Sequence, residues 1–391
     1  MKNAVTLKHL FKVVGRKGQA LGSEEACIYF DGRHAVGANG EATVSIDCPL
    51  QISKPTLIPV SELKTALIAN PELHFEPESD GGLRINGIRV CQHSPEAMPD
   101  ETREILDLDK QLWRVAVRPF RMDGSRYAQV LTAMGVKDVR FYLNGLYLDF
   151  ATGAIVGLDG KRLHLVEDVL PTAALAPERK QGVILPGAMA RMLADLGGVQ
   201  EVFVMEREAP GPKGMLWQRV ICVGAANAKF RIREIASDTF PNYRDAFDRN
   251  KTLPINVVLD AASIQHLLAV AGIAQTNPNR PYVTIEGEAR QIRVRHQERV
   301  VRELPARYQE GGAFVVHANG AYLTDAIRAA QRFGSTVRMR FQHGDEPRGI
   351  YVGAQDFHSI VMARKEPEDE EVESRESATD AESASTTALA S

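Results

Sequence analysis

Six stretches of the chain place apolar residues at the i, i+3, i+4, i+7 spacing that gives a helix one buried face. They are Leu7, Leu10, Phe11, Val14; Leu63, Ala66, Leu67 with polar Asn70; Tyr127, Val130, Leu131, Met134; Met189, Met192, Leu193, Leu196; Ile264, Leu267, Leu268, Ala271; and Leu323, Ala326, Ile327, Ala330. Their starts form two interleaved series, 7, 127, 264 and 63, 189, 323, with a period of about 115 to 140 residues. Two series sharing one period predict a unit that occurs three times.

Strand-like runs lie between the helices: 26–30 (ACIYF), 73–77 (LHFEP), 201–205 (EVFVM), 282–286 (YVTIE) and 336–341 (TVRMRF). They come in groups separated by Gly and Asp/Asn turns rather than in strict alternation with helices. That grouping predicts the α+β class: three similar domains, each with two helices and antiparallel sheets, the helices gathered on one side. Polar segments at 98–104 and 248–254 place the domains at 1–110, 111–250 and 251–365, each of ordinary domain size.

The stretch from Lys137 to Leu165 reads as consecutive strands closed by tight turns. Asn144-Gly145 and Asp159-Gly160 accept positive φ at low cost and are expected to close two-residue hairpins, with Val139, Phe141, Leu143, Leu146 and Leu148 as apolar positions around the first. The second turn ends in a basic corner, Gly160-Lys161-Arg162.

Composition narrows the function classes. With 391 residues, 44% hydrophobic and 25% charged, the chain reads as a soluble multidomain protein. No apolar run approaches the roughly 18 to 20 residues of a membrane helix, and the N-terminus lacks a signal-peptide pattern, so a cytoplasmic location is expected. Cys27, Cys48, Cys91 and Cys222 show neither C-x-x-C spacing nor a nearby histidine, which predicts reduced thiols and no metal site. The charge is divided unevenly: residues 366–391 hold nine acids and one base, and since the whole chain carries −3, residues 1–365 are basic. The acidic segment is rich in Ser, Thr, Ala and Glu and is expected to be a disordered tail.

No nucleotide-binding glycine loop, nucleophile elbow or zinc-protease motif occurs, so no catalytic residue, cofactor or enzymatic activity is expected. GPKG at 211–214 reads as a hairpin turn. Basic residues, in contrast, recur at helical spacing. Lys8, Lys12 and Arg16 lie off the apolar stripe of the first helix, Arg328 and Arg332 repeat the spacing on the last, and Lys64, Arg126, Lys137 and Arg191 stand singly. Two readings fit: an ordinary solvated face, or a wall that meets nucleic-acid phosphates without reading sequence.

Three motifs resemble a known family. DVRFYLNG (138–145), GLDGKRL (157–163) and FPNYR (240–244) are similar to DVRYYLNG, TDGHRL and FPDYR of the bacterial DNA polymerase III beta subunit, the sliding clamp, and the likeness runs in outline through about residue 365. The resemblance implies a head-to-tail homodimer whose six domains close a ring around double-stranded DNA. It also implies an ATP-dependent clamp loader and a replicative polymerase as partners. Carried over by position, a peptide-binding pocket on the second and third domains would comprise Tyr142, Leu143, Leu158, Gly160, Lys161, Arg162, Leu163, Pro241, Asp245, Ala246, Tyr322, Ile360, Val361 and Met362. Val90 and Ile273 would belong to the dimer contact. For Leu143 and Leu163, ordinary core is the alternative. The chain departs from the family at Leu158 (Thr), Lys161 (His) and Asp245 (a basic residue), and it continues past Arg364 where the family ends, so the guest peptide is expected to differ. A clamp-fold scaffold that no longer loads on DNA is the rival reading.

Overall fold

The computed structural model describes residues 10, 11, 13, 14, 26–47, 52, 54–70, 74–94, 113–175, 181–211, 214–225, 227–236, 240–278, 280–288, 291–297, 300–304, 307–310, 312–343 and 349–364. The chain divides into two compact units, Met1–Pro241 and Asn242–Ser391.

In chain order the first unit contains β1 (Cys27–Phe30), β2 (His34–Ala38), β3 (Ala42–Asp47), β4 (Thr56–Pro59), α1 (Val60–Ala69), β5 (Phe75–Pro77), β6 (Leu83–Ile85), β7 (Ile88–Val90), β8 (Arg114–Asp123), α2 (Ser125–Val130), β9 (Gly145–Asp149), β10 (Ala154–Leu158), β11 (Arg162–Val166), β12 (Gly182–Pro186), α3 (Gly187–Leu196), β13 (Val199–Gly211), β14 (Gly214–Ala225) and β15 (Ala228–Arg233). Eight strands form one sheet in the order β4-β1-β2-β3-β15-β14-β13-β8. The β3–β15 ladder, from Ala228↔Ile46 to Ile232↔Ala42, fuses two repeats into this one unit. β12-β9-β10-β11 form a second layer, and β5-β6-β7 a small meander.

The second unit contains α4 (Tyr243–Lys251), β16 (Ile255–Leu259), α5 (Ala261–Gln275), β17 (Tyr282–Glu288), β18 (Gln291–His296), β19 (Val300–Leu304), β20 (Arg307–Glu310), β21 (Phe314–Asn319), α6 (Gly320–Ala330), β22 (Val337–Phe341), β23 (Gly349–Ala354) and β24 (Phe357–Arg364). Within it β24 pairs β23 along most of its length and β21 at its end, through His317↔Arg364. β17, β18 and β19 continue from β21, and β22, β16 and β20 from β23. Every one of these pairings is antiparallel, as the grouped strand pattern implied.

The helical periodicity marks the buried faces. Leu63 and Ala66 of α1, Tyr127 and Val130 of α2, Met189, Met192 and Leu193 of α3, Ile264, Leu267 and Ala271 of α5, and Leu323, Ala326, Ile327 and Ala330 of α6 are buried. Leu10 and Phe11 are helical and Leu10 is fully enclosed, whereas Leu7 lies outside the described residues. α2 packs on α3 and α5 on α6. The second helix of each repeat starts directly from a strand with nearly the same dihedrals at its N-cap: Pro59 (φ −57°, ψ 136°), Pro186 (−54°, 136°) and Asn319 (−62°, 123°). This recurrence of backbone geometry supports the repeat independently of hydrophobic spacing.

Two expectations are corrected. Asn144-Gly145 does not close a hairpin. Phe141–Leu143 form a 3-10 turn that Asn144 ends, and Gly145 opens β9. Asn144 serves instead as a staple, accepting from the Asp138 amide (2.8 Å) and donating through Nδ2 to the Asp138 carbonyl (2.8 Å). Gly145 is required by close approach, since a Cβ there would lie 2.6 Å from the Leu185 carbonyl oxygen. Val139 and Phe141, read as apolar positions around a turn, are 95% and 54% exposed. The second correction concerns the polar segment 248–254 that marks the boundary between the second and third domains: Asp248 to Lys251 form the last turn of α4, whose Tyr243 and Phe247 are buried in the second unit. That helix escaped the periodicity because only these two large apolar residues face inward.

Candidate interaction sites

The basic corner is a built structure. Leu158↔Leu163 is the last ladder pair of β10 and β11, and the Asp159 amide donates to the Arg162 carbonyl at 3.3 Å. The two-residue turn is therefore Gly160-Lys161, one position later than expected. Gly160 at φ +84° fits the first central position of a type II′ turn, which demands the glycine. Asp159 organises the rest: its Oδ1 accepts from the backbone amides of Lys161 and Arg162 (2.9 Å each) and its Oδ2 from Arg162 Nε (3.1 Å). Arg162 is thereby held against the hairpin while the Lys161 side chain is exposed.

A second arginine buttresses the turn from the 137–141 loop. Arg140 donates from Nε and Nη2 to the two carboxylate oxygens of Asp138 (3.0 and 2.8 Å) and from Nη2 to the Asp159 carbonyl (3.2 Å). The arginine hydrogen bonds hold the Asp138 carboxyl down to about 2. Fork-on-carboxylate pairing fixes orientation as well as charge. Loop and hairpin thus form one rigid corner bearing Lys161, Arg140 and exposed Phe141.

The remaining docking candidates of the first unit divide by burial. Tyr142 and Leu158 are half-buried and Pro241 is partly open, whereas Leu143 and Leu163 are 1% and 3% exposed, so both are core residues of this unit. In the second unit Met362 is 51% exposed at the end of β24, while its neighbours Ile360 and Val361 are buried. Asp245 is exposed on α4, with its Oδ2 accepting from Asn242 Nδ2 at 2.8 Å; Ala246 and Tyr322 are half-buried.

Among the nucleic-acid candidates, Lys64, Arg191 and Arg328 are exposed on α1, α3 and α6, and Arg126 is half-buried on α2. Lys64 Nζ lies 5.5 Å from the centre of the Phe11 ring, joining α1 to the first helix. Lys137 stands in the loop at φ +55°, and Arg332 lies in the turn after α6 rather than on the helix. Lys8, Lys12, Arg16 and the acidic tail fall outside the described residues. Val90 is buried in β7, and Ile273 is 45% exposed on α5. No group of three or more His, Cys, Asp or Glu that could hold a metal occurs among the described residues, and no described helix is long and apolar enough to cross a membrane.

Two buried polar features were not legible in the sequence. Across four neighbouring segments of the first unit, Arg114, Glu206, Arg219 and Glu234 form an alternating ladder. Arg114 Nη2 and Arg219 Nε reach the two oxygens of Glu206 (2.8 and 3.2 Å), and Arg219 Nη1 reaches Glu234 at 3.0 Å. The second is His164, fully buried on β11 with Nδ1 near Thr132 Oγ1 (3.2 Å) and the Gln129 carbonyl (3.3 Å). Burial pushes its pKa down to about 3, so the ring is neutral.

The repeated strand-to-helix units, paired helices and antiparallel sheets define the DNA clamp fold, in three similar domains. Solved structures share it: a DNA polymerase sliding clamp from Pseudomonas aeruginosa crystallised with a ligand (TM-score 0.69, 17% identity, 93% of this chain and 97% of that one), the DNA polymerase III beta subunit of Thermotoga maritima (0.68, 15%, 93% and 98%) and the sliding clamp of Bacillus subtilis (0.70, 13%, 93% and 97%). No family model matches the chain, and no curated protein does.

Proposed function

We propose that the chain is a divergent DNA sliding clamp, a processivity factor that encircles double-stranded DNA and tethers a replicative polymerase and other replication proteins. The observation that carries this reading is the clamp fold over 93% of the chain, together with a threefold repeat that the sequence shows independently. Two copies joined head to tail close a ring, a heterologous contact that ends after two subunits. An ATP-dependent loader opens it, and the site of action is the cytoplasm.

A ring holds DNA by topology, so its inner surface needs only weak phosphate contacts that allow sliding. Lys8, Lys12, Arg16, Lys64, Arg126, Lys137, Arg191, Arg328 and Arg332 supply them. Partner peptides dock on the open members of the carried-over set, Tyr142, Leu158, Lys161 and Arg162 in the first unit and Asp245, Tyr322 and Met362 in the second, and not on the core residues Leu143, Leu163, Ile360 and Val361. In the first unit the rigid Asp138–Arg140–Asp159–Arg162 corner supports this role, because a preorganised edge loses little entropy on binding. Lys161 and Asp245 change the charge presented to the guest, so a peptide suited to this chain differs from one suited to a family member with His and a basic residue there.

Light scattering at micromolar concentration tests the ring: the mass expected is twice that of the chain, and a strict monomer overturns the ring. Arg328→Glu with Arg332→Glu then tests the DNA surface. Duplex affinity at low salt falls at least tenfold and the salt slope becomes shallower by roughly 3 to 4, because the dimeric ring loses two phosphate contacts from each subunit. An unchanged slope favours a scaffold that does not use DNA.

A further inference from the structure

Both tryptophans of the chain, Trp113 and Trp217, lie at one place in the first unit, beside the far end of the long β13–β14 hairpin. They line a concave site of about 200 Å³ together with Leu216, Val220, Ala236 and the arginines Arg207 and Arg233. Each ring carries a guanidinium: Arg207 lies 4.8 Å from the Trp113 centroid and Arg114 4.7 Å from that of Trp217. Neither ring is fully buried, and Leu216, Met215 and Val115 nearby are 38%, 60% and 53% exposed. Tryptophan and arginine around a concave apolar patch are the residues that dominate peptide recognition.

Charge selects the occupant. The adjoining strand β8 is the edge of its sheet and exposes Arg114, Arg118 and Arg121. With Arg207, Arg219 and Arg233 these make six arginines, against Asp123, Glu201 opposite Arg121, Glu206, Glu208 and Glu234. The Arg114–Glu206–Arg219–Glu234 ladder balances itself, which leaves Arg118, Arg121, Arg207 and Arg233 against Asp123, Glu201 and Glu208, so the rim keeps a cationic excess. The concavity has the size of one large side chain, not of a groove that follows a nucleic-acid strand. The chain's own acidic tail brings charge but no aromatic residue across 366–391.

We propose that this site docks a partner protein through an acidic peptide with one aromatic anchor, the anchor entering between Trp113, Leu216 and Val220 while the carboxylates meet Arg207, Arg233 and the β8 arginines. It is separate from the corner at Asp159 and does not depend on the sliding-clamp reading. Among the described residues β8 also offers an unshared sheet edge to which an extended peptide can add, with Pro119 limiting the run.

Because the chain has no other tryptophan, emission excited selectively at tryptophan reports this site alone. The probe is a fluorescein-labelled octapeptide, Asp-Glu-Asp-Phe-Leu-Asp-Glu-Asp, titrated into the full chain. A rise in anisotropy is expected, and the same unlabelled peptide should change the tryptophan emission. Trp113→Ala and Arg233→Glu should each weaken binding at least tenfold, with Leu216→Asp as the variant at an exposed position if either fails to fold, whereas Arg162→Ala should leave it unchanged. Lack of a tryptophan response, equal binding of a peptide with Lys at every acidic position, or loss of binding on Arg162→Ala overturns the proposal. Tighter binding of oligo(dT) than of the octapeptide, with quenching, overturns it in favour of single-stranded nucleic acid.

Discussion

Two networks in the first unit join arginines to carboxylates in different surroundings, one across neighbouring strands and the other within a loop and a hairpin turn. In the ladder Arg114–Glu206–Arg219–Glu234, the side chains of Glu206, Arg219 and Glu234 are 3%, 1% and 4% exposed. At the corner Asp138–Arg140–Asp159–Arg162, Arg140 is 47% exposed, Asp138 19%, Asp159 16% and Arg162 13%. A buried charge that loses its partner has no water to turn to, so the ladder is an all-or-none element of the sheet. An exposed pair is worth little in stability, so the corner is better understood as geometry: it fixes where Lys161 and Arg162 stand. Similar contacts therefore imply a fold-keeping role in one place and an orienting role in the other.

The sharpest way to break this contrast is to remove the centre of each network. Arg219→Ala leaves Glu206 and Glu234 buried with one partner between them, and should cost about 3–5 kcal/mol in denaturant unfolding. Asp159→Ala removes the acceptor for two amides and one guanidinium at a partly open turn, and should cost about 1–2 kcal/mol while lowering affinity for docking peptides. Equal losses from the two substitutions would erase the distinction.

A buried neutral group and an exposed ionised one also separate by pH. His164 titrates at about 3 in the folded chain and near 6.5 when unfolded. The unfolded chain therefore binds the extra proton between these values, and stability, complete above about 6.5, declines as pH falls toward 3. His164→Gln should flatten that limb of the stability profile, measured by thermal unfolding from pH 4 to 8. Asp138, held at about 2 against an ordinary 3.8, acts lower: its contribution is present above 3.8 and is lost as pH falls through about 2. Carboxyl NMR titration should show Asp138 ionised throughout pH 4 to 8, and Arg140→Ala should return it toward the ordinary value. The smallest effect separates the helix starts. Asn319 accepts from the Ala321 and Tyr322 amides, so Asn319→Ala should cost about 1 kcal/mol, while Pro186→Ala, where no side-chain cap exists, should change less.

The helices were readable because each buries one face, and the Asp159 hairpin because Gly160 cannot be replaced cheaply at positive φ. Asn144-Gly145 misled for a physical reason: the same dipeptide that closes a hairpin also serves where an amide side chain staples a loop and a Cβ has no room. The α4 helix was hidden by having only two inward aromatics. The ionic ladder and the tryptophan site were illegible because their members, from Trp113 to Glu234, meet only through strand register. Of the docking residues, motif matching marked Lys161 and Arg162 on the exposed corner, but it could not tell Met362, which is exposed, from Ile360 and Val361, which are core.

The central claim is topological, and threading tests it most directly. The chain is incubated at high concentration with a linear duplex, both ends are then blocked with streptavidin, and the DNA is washed in high salt. A clamp is retained on the blocked duplex and released when a restriction enzyme cuts one end free. Equal retention before and after cutting, or none in either case, would contradict the account.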